Sequence, residues 1–213
     1  MRFFAVFGAL VLGVIPASAG VVTFTSSAAF QAAGSISNSE DFESFEQGFL
    51  GNPFTTHGIL FTQLPGGHPN MVPYVSDPGN LGNPIEPTSK TLDANGDENF
   101  QIQLASGATF TAFGFDIYTN QFSAPVVSLY DASNDLIGSY TLEQGPNTLG
   151  FFGATSTTPI SSVTFIVDRG WIQNTALDNV QLGQSAETPE PSVFGMATLG
   201  LVGLLAYRRR QTR

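Results

Sequence analysis

Hydrophobic and polar residues alternate over short stretches along most of this chain. Runs of β-branched and aromatic residues are separated by turn residues, which is the pattern of antiparallel strands. The predicted strands are Val21–Thr25, Gly58–Thr62, Phe100–Leu104, Phe113–Ile117, Val126–Tyr130, Leu136–Tyr140, Phe151–Phe152, Val163–Val167 and Ala176–Val180. About nine or ten short strands of this kind indicate an all-β fold, an antiparallel β-sandwich or barrel with phenylalanines between two sheets.

Helical spacing is scarce, and one short N-terminal helix is predicted. Ser26–Ala33 combines a serine cap with alanines, and Gly34 is positioned to end the helix. Asp131–Asp135 is predicted to be the loop of a hairpin between two strands. Gly66–Pro87 contains five prolines, and we expect it to form a long surface loop of the kind that often carries a binding site.

The first residues form a targeting pattern rather than a part of the sandwich. A single basic residue precedes an apolar run at Phe3–Ile15, and a small-residue A-x-A site ends at Ala19. These features in this order predict a secretory signal peptide at residues 1–19. We therefore expect the Sec translocon and signal peptidase as partners and a β-sandwich domain at residues 20–183.

A different targeting pattern lies at the C-terminus, after a predicted linker at residues 184–188. An apolar run at Val193–Tyr207 predicts a transmembrane helix. Its 15 residues would span about 22 Å, which is less than the roughly 30 Å of a hydrocarbon core. The run is flanked by a Pro-Glu-Pro motif and an arginine cluster that would stay on the cytoplasmic side, namely Pro189, Glu190, Pro191, Arg208, Arg209 and Arg210.

Residues 189–213 resemble the PEP-CTERM sorting signal of Gram-negative bacteria. The resemblance implies that a membrane-embedded cysteine protease, an exosortase, recognises and removes the tail. It also implies export through the inner membrane and transient anchoring by the C-terminal helix. The final location would be the cell surface, the outer membrane or the extracellular matrix, in association with exopolysaccharide. An ordinary single-pass anchor is the alternative.

Composition and charge exclude several classes of function for the part of the chain between the two targeting segments. Residues 20–187 contain 2 basic and 16 acidic residues, a net charge of -14. Nucleic acid is excluded as a partner, because phosphate binding needs clustered lysine and arginine. The lack of cysteine excludes disulfides, thiolate metal sites and cysteine nucleophiles, and two histidines argue against a histidine-rich metal site.

The body is also similar to exported β-sandwich domains that often accompany such sorting signals. The similarity rests on short segments, which are Phe24–Ala33, Asp41–Glu43, Gly58–Phe61, Phe113–Asp116, Ile160–Phe165 and Leu177–Val180. It implies a jelly-roll sandwich of the carbohydrate-binding-module type. The biochemical roles of these domains are mostly unassigned, so the resemblance alone does not specify a ligand.

No catalytic residue is predicted, and a non-enzymatic protein is preferred. The chain has no G-x-S-x-G motif, and His57 and His68 lie in loop-like sequence. The acidic cluster at residues 40–46 is the enzymatic alternative, because glycosidases need two carboxylates about 5–10 Å apart. On a regular strand Asp41 and Glu43 would share a face. Sandwich-fold glucanases carry Glu-x-Asp-x-x-Glu, whereas here the first two acids are exchanged.

Calcium is the one cofactor suggested. In jelly rolls of the carbohydrate-binding type the first and last strands lie together and often share a structural calcium ion. That resemblance implies that Glu43 and Asp178 lie close together and bind calcium, whereas the alternative for Asp178 is an Asx turn. A second acidic stretch, Asp93–Glu98, begins like a calcium loop but equally fits a hairpin turn.

Sugars stack on exposed aromatic rings, so Trp171 and Tyr74 are the candidate ligand-binding residues. For Trp171 the alternative is a place in the core. Taken together, these patterns predict an exported surface or matrix protein that binds exopolysaccharide or another glycan. A secreted glycan-active hydrolase and a purely structural or adhesive coat component are the alternatives.

Overall fold

The computed structural model describes residues 20–66, 72–79, 87–94, 98–119, 124–142, 148–167 and 175–186. Within these residues the chain forms two antiparallel sheets and one short helix. The predicted signal peptide, Trp171, His68 and the sorting signal lie outside the described residues. In the described part of the chain, no helix is long and apolar enough to cross a membrane.

The strands and the helix follow one another in a simple order. They are β1 (Val21–Phe24), α1 (Ser27–Ala33), β2 (Gly34–Glu40), β3 (Gly48–Phe49), β4 (Phe54–Thr56), β5 (Ile59–Gln63), β6 (Pro73–Ser76), β7 (Thr91–Ala94), β8 (Phe100–Leu104), β9 (Phe110–Thr119), β10 (Val126–Tyr130), β11 (Leu136–Thr141), β12 (Thr148–Ile160), β13 (Ser162–Ile166) and β14 (Ala176–Ser185).

The larger sheet has the strand order β1-β12-β9-β14-β7-β6-β3, with β2 paired to β14 outside this path. The smaller sheet has the order β11-β10-β13-β8-β5-β4. Every pairing between described strands is antiparallel. The predicted all-β class with one short helix is therefore confirmed for the described residues.

Phenylalanines fill the space between the two sheets, as the sequence predicts. Phe115 on the larger sheet and Phe165 on the smaller sheet are fully buried, with ring centroids 5.8 Å apart and planes at 88°. Further buried rings come from Phe61, Phe100, Phe110, Phe113 and Phe152. Each buried ring contributes on the order of 1.5–3 kcal/mol of hydrophobic stabilisation, so this layer holds the sheets together.

Helix α1 packs on the outer face of the larger sheet, away from the main core. It begins after Ser26 and gives way to β2 at Gly34, close to its predicted bounds. Its one buried side chain, Phe30, lies over Gly114 and Gly153. A Cβ atom at either glycine would come within 2.9 Å of the Phe30 ring. The two glycines therefore leave the space that the helix needs.

Five strands have no counterpart in the predicted pattern: β2, β3, β4, β6 and β7. The predicted long loop at Gly66–Pro87 is wrong in part, because β6 lies within it. Pro73 is the first residue of β6, a position where a missing N–H is tolerated. At the other end of the domain, β14 continues to Ser185, past the predicted boundary at residue 183 and into the predicted linker.

The acidic cluster at residues 40–46 does not form a regular strand. Strand β2 ends at Glu40, and the chain then turns. Phe42 adopts a left-handed φ of 57° and its ring is fully buried. Because strand alternation does not apply there, Asp41 and Glu43 do not share a strand face in the way a glucanase motif requires.

Candidate functional site

The outer face of the larger sheet carries most of the polar residues that could form a functional site. Leu92 on β7 pairs with Leu177 on β14, and both leucines are buried in the core. Side chains alternate along a strand, so the next residues on each strand, Asp93 and Asp178, belong to the opposite, outer face. This face therefore carries carboxyl groups on neighbouring strands.

Asp178 is almost completely buried on that face, with an exposed fraction of 1%. It accepts hydrogen bonds from the Ser89 hydroxyl at 2.5 Å and from the Asn179 backbone N–H at 2.6 Å. Burial, assisted by the charges of Asp116 and Glu43, raises the pKa of Asp178 to about 6, against the effect of the two hydrogen bonds. A buried carboxyl with two acidic neighbours is suited to bind a proton or a cation.

Glu43 reaches the same region from the turn after β2. Its Oε1 accepts a hydrogen bond from the Lys90 backbone N–H at 2.9 Å, next to the serine that binds Asp178. The structure thus brings Glu43 and Asp178 to the same segment. In the described part of the chain, however, no group of three or more His, Asp or Glu side chains is arranged to hold a metal ion, so calcium binding stays a prediction.

Asp116 lies directly opposite Asp178 on the adjacent strand β9. It accepts a hydrogen bond from the Asn179 side-chain amide at 2.8 Å, while Asn179 itself adopts a left-handed φ of 48° at an irregularity in β14. Burial raises the pKa of Asp116, and the amide hydrogen bond opposes that rise. The irregular backbone at Asn179 therefore places a side-chain amide donor next to the facing carboxyl groups of Asp116 and Asp178.

Glu40, the first acid of the predicted cluster, has a different role. Its carboxylate accepts hydrogen bonds from the Phe42 N–H at 2.6 Å and from the Thr56 hydroxyl, and it lies 2.9 Å from Nδ1 of His57. The Glu40 side chain has no exposed surface, whereas His57 is 60% exposed. Because Glu40 belongs to the larger sheet and Thr56 to the smaller one, this carboxylate connects the sheets at their edge.

An open polar groove of about 540 Å³ lies between α1, β2 and β14. Across it, the Gln31 side-chain amide donates to the Gln181 side-chain carbonyl at 3.1 Å. The remaining lining comes from Gly34, Ile36, Ser39, Glu40, Asp41 and Asn179. Amides and carboxylates of this kind form hydrogen bonds with the hydroxyl groups of a sugar.

Tyr74 lies on β6 at the far edge of the same sheet, half-buried. Its ring contacts Phe49 on β3, with centroids 4.9 Å apart and planes at 70°. Phe49 is 63% exposed, and it is the one aromatic residue among the strongly exposed hydrophobic side chains of the described residues. The structure thus places Tyr74 in an exposed aromatic pair, while its role in ligand binding stays a prediction.

Sequence reasoning missed Phe49 and the bridging role of Glu40. Phe49 belongs to a strand of two residues, which is too short to show alternation. Glu40 was predicted only as part of an acidic cluster, and its partner Thr56 lies 16 residues away. The pairing of β2 with β14 brings the cluster towards Asp178. The sequence does not predict β2 as a strand, and the first predicted strand, β1, pairs with β12 instead.

These features define an all-β sandwich with acidic and aromatic groups on one outer face. Residues 187–210 match the family model of the PEP-CTERM protein-sorting motif, directly after the last described residue, Ala186. The chain therefore carries a PEP-CTERM sorting motif, as predicted. This motif implies exosortase as the processing partner, and export to a surface or extracellular location.

Other comparisons add little. No curated protein matches the chain. Among solved structures, the enzymatically active domain of tailspike protein 4 from bacteriophage CBA120 is similar over 78% of this chain and 19% of its own, at 11% identity and a TM-score of 0.29. The chain thus spans about a fifth of that protein's length, and a similarity this low supports no inference about function.

Proposed function

We propose that this chain is a non-enzymatic protein of a Gram-negative cell surface or exopolysaccharide matrix, sorted by exosortase, whose sandwich binds glycan. The observation that carries the proposal is the sorting motif at residues 187–210, which follows strand β14 after a single residue. We further propose that residues 1–19 are a signal peptide and that residues 193–207 hold the protein in the inner membrane until cleavage.

Glycan binding is supported by two features on the outer face of the larger sheet. One is the groove lined by Gln31, Gln181 and neighbouring polar side chains. The other is the exposed ring of Phe49 beside Tyr74. Binding sites for small ligands combine apolar or aromatic surface with a few placed polar groups, and a jelly roll of the carbohydrate-binding type would present such features on this face.

The hydrolase alternative has less support. Glu40 is fully engaged in bonds between the sheets, so it is not free for general acid or base chemistry. Asp41 accepts the Glu43 N–H at 3.2 Å within the turn, and Glu43 accepts the Lys90 N–H. These three carboxylates thus serve local structure, and a coat protein in which acidic groups organise packing is the second alternative.

Calcium at Glu43 and Asp178 is part of the proposal, supported by the electrostatic influence of Glu43 on Asp178. A structural ion would stabilise the folded protein in proportion to its occupancy. We expect millimolar CaCl₂ to raise the melting temperature of the parent protein but not of Asp178→Asn. An unchanged melting temperature in calcium and in chelator would remove the ion from the proposal.

Intact mass spectrometry of the protein from living cells tests the sorting function. We expect a mature chain that begins at residue 20 and lacks Arg208, Arg209 and Arg210. Replacing Pro189 and Pro191 with alanine is expected to leave the tail uncleaved, because the motif that exosortase recognises is lost. Replacing Ala186 with serine, directly before the matched residues, serves as the matched control and is expected to be processed normally. Surface protein with its terminal arginines intact would contradict exosortase processing.

A further inference from the structure

Phe49, Tyr74 and Asp93 lie side by side across three neighbouring strands of the larger sheet. Phe49 pairs with Tyr74, and Tyr74 pairs with Asp93. Residues directly opposite each other in antiparallel strands project to the same face. Val75 and Leu92, which alternate with these residues, point into the core, so the three side chains belong to the outer face.

The position of the aromatic pair is fixed by the surrounding backbone. The Leu50 N–H donates to the Pro73 carbonyl oxygen at 2.8 Å, which secures the short edge strand β3 against β6. The neighbouring Ser76 hydroxyl donates to Oδ2 of Asp93 at 2.7 Å. The exposed ring of Phe49 offers a surface about as large as one sugar ring. The carboxyl group of Asp93 lies in the same row with its Oδ1 buried, so the aromatic ring rather than the carboxyl group is the contact surface.

The charge around this surface restricts the ligand. Asp77 follows β6 directly and its side chain is 42% exposed, 3.8 Å from the Lys90 ammonium group. Asp93 and Asp178 lie on the same face, and the body as a whole carries 16 acidic and 2 basic residues. An acidic surface of this kind repels anionic polymers. Uronic-acid and sulfated polysaccharides are therefore poor ligands, whereas neutral sugars and amino sugars are not repelled.

We propose that Phe49, Tyr74 and Asp93 form a binding site for a neutral or amino-sugar polysaccharide, in which a sugar ring stacks on Phe49. This inference rests on the glycan binding in the proposed function and names its site and ligand class. The occupant is a glycan rather than a second copy of the chain, because one exposed ring bordered by carboxylates is too small and too polar for a stable dimer contact.

The site also lies far from Ala186, the last described residue before the sorting motif. The last described residues are fixed near the start of β9, where the Ser185 N–H donates to the Thr111 hydroxyl at 2.7 Å. The aromatic row adjoins the other end of β9, since Tyr118 pairs with Ala176, whose neighbour Leu177 pairs with Leu92, the residue before Asp93. Seven residues of strand separate these ends, about 23 Å. A protein still held by its tail can therefore engage a polysaccharide at this site.

Affinity electrophoresis of the purified exported protein tests the site, with galactomannan as the neutral probe, glycol chitosan as the amino-sugar probe and alginate as the anionic probe. We expect retardation by galactomannan or glycol chitosan and none by alginate. Phe49→Ala is expected to weaken the apparent affinity about tenfold, since stacking is lost, whereas Phe49→Tyr keeps it. Leu149→Ala is the matched control, because Leu149 is also exposed on this sheet, at 54%.

The outcomes separate the site from the wider function. If Phe49→Ala binds as well as the parent while Gln31→Ala in the polar groove loses binding, the glycan function stands and this site is wrong. Binding to alginate alone would overturn the ligand class. A concentration-dependent dimer that Phe49→Ala abolishes would assign the surface to a second copy instead. If the parent binds none of the three polymers, both this site and the glycan part of the proposed function fail, while the sorting function is unaffected.

Discussion

Raising the pH from 5 to 8 is expected to destabilise the sandwich domain by about 2–3 kcal/mol through Asp93 alone. Burial raises the pKa of Asp93 to about 7, although the hydrogen bond from Ser76 and one from the backbone oppose that rise. Its Oδ1 is buried and has no hydrogen-bond partner within the described residues. The ionised form is therefore poorly solvated in the folded protein.

The direction of the effect follows from proton linkage. The pKa of Asp93 is higher in the folded protein than in the unfolded chain, whose aspartates have the ordinary value of 3.8. Between these two values the folded state binds more protons, so its stability is fully present below about pH 4 and is lost as the pH rises through about 7. The pKa of Asp178 is also raised, to about 6, so its contribution to the stability of the folded protein is likewise lost as the pH rises.

Thermal melts at several pH values measure this effect. A loss of 2–3 kcal/mol corresponds to a fall in melting temperature of roughly 5–10 °C for a domain of this size. Asp93→Asn is expected to reduce the slope by more than half, because the amide does not titrate. Asp77→Asn, at a neighbouring exposed carboxylate, is the matched control and should retain the slope. Equal slopes in the two variants would show that Asp93 is not the titrating group.

The fold class could be predicted because its main strands obey simple alternation. Strands β8 and β10 have the predicted bounds, since each runs uninterrupted between turn residues. Strands β3 and β4 have two and three residues, which is shorter than a period-two pattern needs to be visible. They form through pairing with longer neighbours, which is a tertiary effect.

Little of the candidate site could be predicted from the sequence. The resemblance to jelly rolls implies that the first and last strands lie together, but the first strand, β1, pairs with β12. It is β2, a strand that the sequence does not predict, that pairs with β14 and leads to Glu43. The link through Ser89 and Lys90 could not be predicted, because it depends on how a proline-rich segment returns to the sheet. The same holds for Phe49, whose exposure is set by the edge position of β3.

Replacing Glu40 with alanine is expected to cost about 3–4 kcal/mol of stability, the largest effect of any single acid in the 40–46 cluster. The substitution leaves the buried Phe42 N–H and the Thr56 hydroxyl without their acceptor. It also removes the carboxylate that lies beside the imidazole of His57. The backbone of His57 keeps one contact, because its carbonyl oxygen accepts a hydrogen bond from the Asn38 side chain at 2.9 Å. The contact between the two sheets at this edge is then lost.

Urea unfolding of Glu40→Ala, Glu40→Gln and Glu46→Ala separates this role from a general effect of charge. Glu40→Gln keeps one acceptor oxygen and nearly the same shape, so we expect it to lose about half as much stability as the alanine variant. Glu46 is exposed, and its removal is expected to change the stability by less than about 0.5 kcal/mol. If Glu40→Ala is as stable as Glu46→Ala, then the carboxylate of Glu40 does not connect the two sheets, and it would again be available as a catalytic group of the acidic cluster.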